Sequence, residues 1–241
     1  MTDRLTFATL GVNLMLIRAF WSMRQCPNGG NVGVPWRDMR ILAMGAHPDD
    51  IEYGCGGTLL RAVDHGHDVF LMVLTDGGIN VGIDRQTEQQ NAADFLGAKE
   101  LIWGGFPDTA LTAGRELIDT IEQALKQTSP DLVLVNSPED AHQDHRALAS
   151  CATTACRYIK SVLFYHDYTS LSFAPDTFVD IQSYLEAKKQ MLSCHASQVN
   201  KDYPTGLDLL ESVTALAAYY GFMGKTKYAE GFRPLRHLLN L

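Results

Sequence analysis

From Arg40 onward, short apolar runs alternate with stretches whose apolar residues recur every three or four positions. The runs are Arg40 to Ala46, Val69 to Leu74, Glu100 to Trp103, Asp131 to Val135 and Ser161 to Tyr165. They lack the polar–apolar alternation of a half-exposed strand, so they predict strands covered on both faces, as in a parallel sheet. Helical spacing predicts Gly56 to Asp64, with Leu59, Leu60 and Val63 on one face. It also predicts Gln86 to Leu96, stopped by Gly97, and Glu116 to Gln127, with Leu117, Ile118, Ile121 and Leu125 inward. Asp144 to Tyr158, Tyr184 to His195 and Leu207 to Tyr220 read as further helices, and Phe178 to Ile181 as an extended piece. This βαβα order predicts one α/β domain over 40–241, Rossmann-like and doubly wound, with a mostly parallel sheet and helices on both faces.

Residues 1–39 stand outside the pattern. Leu5 to Met23 is apolar-rich, but Asn13 and Arg18 interrupt it and Asp3 sits beside Arg4. That argues against a signal peptide or stable membrane insertion. The stretch reads as an accessory helix, followed by a loop over Gln25 to Val34, and its spare apolar surface would suit a homo-oligomer. With 46% apolar residues, the 241-residue chain can bury a core without cross-links. Its five cysteines are odd in number and widely spaced, with no CxxC. They predict reduced thiols in a cytoplasmic protein, not a disulfide framework or a cysteine zinc site. The net charge of -8, from 28 acidic and 20 basic residues without a basic stripe, speaks against nucleic acid as a partner.

In doubly wound sheets, ligands bind outside the carboxyl ends of the strands. There the chain places His47-Pro48-Asp49-Asp50, then Asp76, Asp108, and His142 with His145. Pro48 biases His47 toward an extended backbone. The adjacent carboxylates repel each other, and a divalent cation would relieve them. Imidazole plus carboxylate suits zinc, and a hydrolytic site uses about three protein ligands and leaves a position for water. His47, one aspartate and one of the two later histidines would complete such a set. The competing reading of the first motif is a turn whose Asp caps the next helix.

Several motifs occur in the order seen in one enzyme family. They are Ala46-His47-Pro48-Asp49-Asp50, Gly56-Gly57-Thr58, Thr75-Asp76-Gly77, Arg85-x-x-Glu88, Leu96-Gly97 and His142-x-Asp144-His145-Arg146. Asp180-Ile181 and His195-x-Ser197-Gln198 complete the series. Together they resemble the LmbE-like, or PIG-L, family of zinc-dependent N-deacetylases over about Arg40 to Val199. The resemblance implies zinc on His47, Asp50 and His145, with iron(II) tolerated by the same ligands. It implies Asp49 as general base, a protonated His142 steadying the oxyanion, and Asp144 orienting a histidine, His142 first. Arg85 and Asp108 match positions that contact substrate hydroxyls, and His195 is left between a supporting and a structural role. The implied partner is a small N-acetylated amino-sugar conjugate, of N-acetylglucosaminyl type.

The alternatives are another amide, such as a thiol conjugate or a longer acyl group, and a non-catalytic nucleotide- or metal-binding protein. The Gly-rich segment does not support nucleotide binding, because Gly54-Cys55-Gly56 lacks the last glycine of GxGxxG. No GxSxG elbow supports a serine hydrolase.

Overall fold

The computed structural model describes residues 38–78 and 84–238. The accessory helix and loop expected near the N-terminus lie outside the described residues. The strands are β1 (Arg40–Gly45), β2 (Asp68–Thr75), β3 (Glu100–Phe106), β4 (Leu132–Asn136), β5 (Ser161–Tyr165), β6 (Thr177–Asp180) and β7 (Ala229–Arg236). They form one sheet in the order β3-β2-β1-β4-β5-β7-β6. The first five are parallel, as the continuous apolar runs predict. β7 runs antiparallel to both β5 and β6. The helices are α1 (Asp50–Asp64), α2 (Arg85–Leu96), α3 (Arg115–Thr128), α4 (Gln143–Ala155), α5 (Leu185–Leu192), α6 (Ala196–Val199) and α7 (Leu209–Gly224).

Successive residues of β1 serve opposite faces, as the pleat requires. Ile41 and Ala43 pack with Ile51, Cys55 and Leu59 of α1 and Leu96 of α2. Leu42 and Met44 pack with Leu117 and Ile121 of α3 and Leu148 of α4. Helices thus cover both faces. β1 lies between β2 and β4, so the strand order reverses there, and the crevice at that reversal is where such a sheet binds its ligand.

Three features depart from the expectation. First, α1 begins at Asp50, six residues before the expected start at Gly56, so Gly54 joins Gly56 and Gly57 inside the helix. They are there because α1 is tightly enclosed. A Cβ on Gly54 would run into the Tyr165 ring, one on Gly56 would meet Met191 at 2.5 Å, and one on Gly57 would meet Ile181 at 2.9 Å. Second, the expected helix from Tyr184 to His195 ends at Leu192, and a new turn starts at Ala196 with His195 between them. Third, β7 was not foreseen. It carries a buried Glu230 whose carboxylate accepts from Gly57 N (2.8 Å), Thr58 N (2.7 Å) and Thr58 Oγ1 (2.6 Å). Lys188 of α5 donates to the same carboxylate (2.5 Å) and to Tyr53 O (2.6 Å). A buried ion pair thereby fixes the middle of α1, the helix whose first turn carries the site.

Candidate active site

The chain leaves β1 through Ala46-His47-Pro48 and enters α1 at Asp49, whose φ of 95° is left-handed. A non-glycine residue there is strained, and such strain persists where the surroundings fix it. It sends the two carboxylates apart. Asp50 Oδ2 turns back and accepts from Ala46 N (2.9 Å), His47 N (3.0 Å) and Asn136 Nδ2 (3.2 Å). Asp49 Oδ1 accepts from Arg85 Nη2 (2.9 Å), which also donates to Pro48 O (2.5 Å). Asp49 Oδ2 is buried and accepts no hydrogen bond.

Three candidate ligand atoms converge, one of them Asp50 Oδ2 itself. His47 Nδ1 lies 3.2 Å from His145 Nε2 and 3.7 Å from Asp50 Oδ2, and His145 Nε2 lies 3.3 Å from Asp50 Oδ2. A tetrahedral ion bonded at roughly 2.0–2.2 Å keeps its ligand atoms about 3.3–3.6 Å apart, so these residues fit such an ion. Two overlapping groups have metal-ligand spacing as well: His47 with His142 and His145, and His47 with Asp108 and Asp144. Each buried imidazole is backed by a carboxylate on its other nitrogen. His47 Nε2 lies 3.1 Å from Asp144 Oδ2 and 3.2 Å from Asp108 Oδ1, and His145 Nδ1 lies 3.3 Å from Asp140 Oδ1. Carboxylates in that position orient metal-binding histidines.

The electrostatics favour a cation. Burial lowers the proton affinity of His47, but Asp108, Asp144 and Asp50 outweigh it and carry it up to about 12. Burial likewise opposes His145, and Asp50 and Asp140 carry it up to about 11. The two acids of the first motif diverge. Burial pushes Asp49 up to about 6 against the pull of Arg85. For Asp50, burial is outweighed by His145 and His47, which hold it well below the carboxylate range. His142, half-buried, is lowered by burial and by His47 and His145.

The structure brings His47, Asp49, Asp50, Asp108, His142, Asp144 and His145 together. Asp76 stays in its own exposed loop, where it accepts from Gly78 N (3.0 Å). Two expectations are corrected. The carboxylate of Asp144 faces His47, not His142, which it meets only through its backbone N–H on His142 Nδ1 (3.2 Å). A nitrogen that accepts a hydrogen bond carries no proton, so the His142 ring is neutral in this arrangement, with its proton on Nε2. Arg85 is buried with its guanidinium on Asp49. His195, fully buried, lies 3.3 Å from Glu52 of α1.

A family model described as PIG-L: GlcNAc-PI de-N-acetylase matches residues 42–156. An uncharacterized deacetylase of Escherichia coli, YaiS, is 38% identical over 167 residues, which cover 65% of this chain and 90% of that protein. The chain belongs to the PIG-L family. The diacetylchitobiose deacetylase of Thermococcus kodakarensis is 29% identical over 236 residues, 84% of this chain and 85% of the other. The conserved protein TT1542 of Thermus thermophilus superposes with a TM-score of 0.76 at 28% identity, covering 84% of this chain and 97% of that one. The 4-oxalmesaconate hydratase of Pseudomonas putida is also similar, at 22% identity over 79% of this chain and 85% of its own.

Within this PIG-L site, sequence reasoning gave no role to Asp140, which it met only as an acid preceding the His142/His145 pair, and did not single out Asn136, Thr169 or Asp167. Asp140 accepts from Thr169 Oγ1 (2.7 Å), Ser170 Oγ (2.9 Å) and His142 N (2.8 Å). Asp167 is fully buried, and burial together with Asp50 raises its carboxyl well above the usual range. The available signal was position: Asn136 ends β4, and Asp140 and Asp167 follow the carboxyl ends of β4 and β5.

Proposed function

We propose that the protein is a metal-dependent deacetylase that removes an N-acetyl group from an N-acetylglucosaminyl-type conjugate. The observation that carries this reading is the convergence of His47 Nδ1, His145 Nε2 and Asp50 Oδ2, with a buried, uncommitted carboxylate oxygen on the adjacent residue, Asp49. Those three residues would hold the ion, zinc or iron(II). A divalent ion there would lower the pKa of a water molecule toward about 7 and polarise an amide carbonyl. Asp49 takes the proton of the attacking water, as a base with its proton affinity raised to about 6 can do. The neutral Nε2–H of His142 donates to the oxyanion that develops on the former carbonyl oxygen. Asp49, then protonated, gives its proton to the departing amine, because His142 Nδ1 is occupied by the Asp144 N–H. The products are acetate and the free amino sugar. Asp108, beside His47 at the mouth, is the carboxylate assigned to the sugar hydroxyls. Arg85 reaches the substrate side only through Asp49.

The test is amine release from a panel of N-acetylated amino sugars and their conjugates, with and without chelator. Release that is lost with the metal and restored by zinc or iron(II) supports the reading. Release that survives complete metal removal overturns it, and so does the absence of amine release from every member of the panel with metal-loaded protein.

A further inference from the structure

Behind Asp49, five buried side chains form a charged array. Asp49 and Glu52 lie three residues apart at the start of α1, on one face. Arg85 and Gln89 lie four apart on α2 and face them. Arg85 Nη2 holds Asp49 Oδ1 (2.9 Å), and Gln89 Nε2 holds Glu52 Oε1 (2.7 Å). His195, at the break between α5 and α6, closes the array with Nε2 at 3.3 Å from Glu52 Oε2. Glu88 of α2 accepts from Ser197 N (2.8 Å) and Ser197 Oγ (2.6 Å), which clamps that break in place. Glu52 Oε2, Arg85 Nε, Gln89 Oε1 and both His195 nitrogens are buried without an aligned hydrogen bond. Buried polar atoms are normally paired, so unpaired ones on adjacent side chains leave alternative pairings open. Asp49, which Arg85 holds, and Glu52, which Gln89 holds, lie one helical turn apart on α1, as Arg85 and Gln89 do on α2.

We propose that His195 is a positioning residue whose charge neutralises Glu52 and so keeps Arg85 on Asp49, leaving Asp49 Oδ2 free for the reacting proton. Within the array, two carboxylates then stand against one guanidinium and one imidazolium. Burial opposes the imidazolium, but Glu52 outweighs it and raises the proton affinity of His195. Without His195, Glu52 is a buried carboxylate held only by the neutral Gln89 amide, and Arg85 is the cation that remains in the array to relieve it. Glu52→Gln removes that competition.

This inference rests on the deacetylase reading for its kinetic part and not for its structural part. In metal-loaded His195→Ala, a crystal structure shows the Arg85 guanidinium moved from Asp49 to Glu52, with His47, Asp50 and His145 still ligating. On whichever panel substrate the wild type hydrolyses, kcat falls about 10- to 100-fold, the cost of a misplaced catalytic group, with KM and metal content unchanged. The double variant His195→Ala/Glu52→Gln recovers kcat to near that of Glu52→Gln alone. His195→Gln, which fills the space without the charge, replaces His195→Ala if that variant does not fold. Arg85 still on Asp49 in the variant structure, or a double variant no faster than the single one, overturns the proposal. If the wild type releases no amine at all, the deacetylase reading fails, and the Arg85 displacement still decides the role of His195.

Discussion

Asp49 and Asp50 are neighbours in sequence with the same formal charge, and their surroundings give them opposite chemistry. Asp50 is pinned by two backbone N–H groups and Asn136 and faces two histidines. Asp49 has one oxygen on Arg85 and one uncommitted. The amide Asp49→Asn keeps the shape and the metal ligands. It should bind metal with wild-type stoichiometry and lose about 10²- to 10⁴-fold in kcat, the usual worth of a general base. His47→Ala should lose bound metal and turnover together; elemental analysis beside the amine-release assay separates the two. Near-normal rates in Asp49→Asn would refute the base assignment. Asp140 gives a second test at this scale. Its carboxylate backs His145, so Asp140→Ala should weaken metal affinity by roughly 10- to 100-fold, read in a competition titration with a chelator. Unchanged affinity would make Asp140 a loop-ordering residue only. The candidate ligands were legible because chemistry restricts metal-binding side chains to a few types. Asp140 behind His145 was not, because an Asp five residues before a His carries no pattern until the fold shows what it faces.

At the scale of elements, the parallel strands were readable because burial on both faces leaves uninterrupted apolar runs. β7 was not. Its sequence, Ala-Glu-Gly-Phe-Arg-Pro-Leu-Arg, holds a buried Glu230 and a Pro234 that cannot donate to the ladder. Pro234 is tolerated opposite Leu163, beside a register shift. The first turn and a half of α1, Asp50 to Cys55, was missed for a related reason: the glycines of the run from Gly54 read as a helix boundary by propensity, and close packing is what carries the helix through them. This explanation ranks their substitutions. Gly54→Ala collides with the rigid Tyr165 ring and should cost about 1–3 kcal/mol or more, the range of overpacked cores. Gly56→Ala meets only the flexible end of Met191 and should cost less, because the helix gains from alanine what the methionine gives up in moving. Urea unfolding of the two variants gives the order directly. If Gly56→Ala is the more destabilised, close packing by Tyr165 is not what requires Gly54.

Across the whole molecule, the net charge of -8 is a poor guide to function, because the charges that matter are the buried ones gathered at a single sheet edge. Asp49, Asp50, Asp140, Asp144 and Asp167 are all buried there, with His47 and His145 among them. Such a concentration of carboxylates needs positive charge in every state of the protein. Without metal, protons on His47 and His145 supply it, since both are held far above the ordinary value of 6.5, at about 12 and about 11. Metal requires both rings neutral at the ligating nitrogen, so its binding at pH 8 should release about two protons, measurable in a weakly buffered titration with an indicator dye. The sign of the pH dependence follows. For a group whose folded value is raised, the stabilisation is complete below the unfolded value and is lost as pH rises through the folded one. Metal-free protein should therefore lose stability steadily above about pH 6.5. Loaded protein, whose rings hold the ion in place of protons, should stay level across the same range. The Tm gap between the two forms should widen from pH 6.5 upward. A gap that stays constant, with no proton release on loading, would show that His47 and His145 are not the residues that exchange protons for the ion.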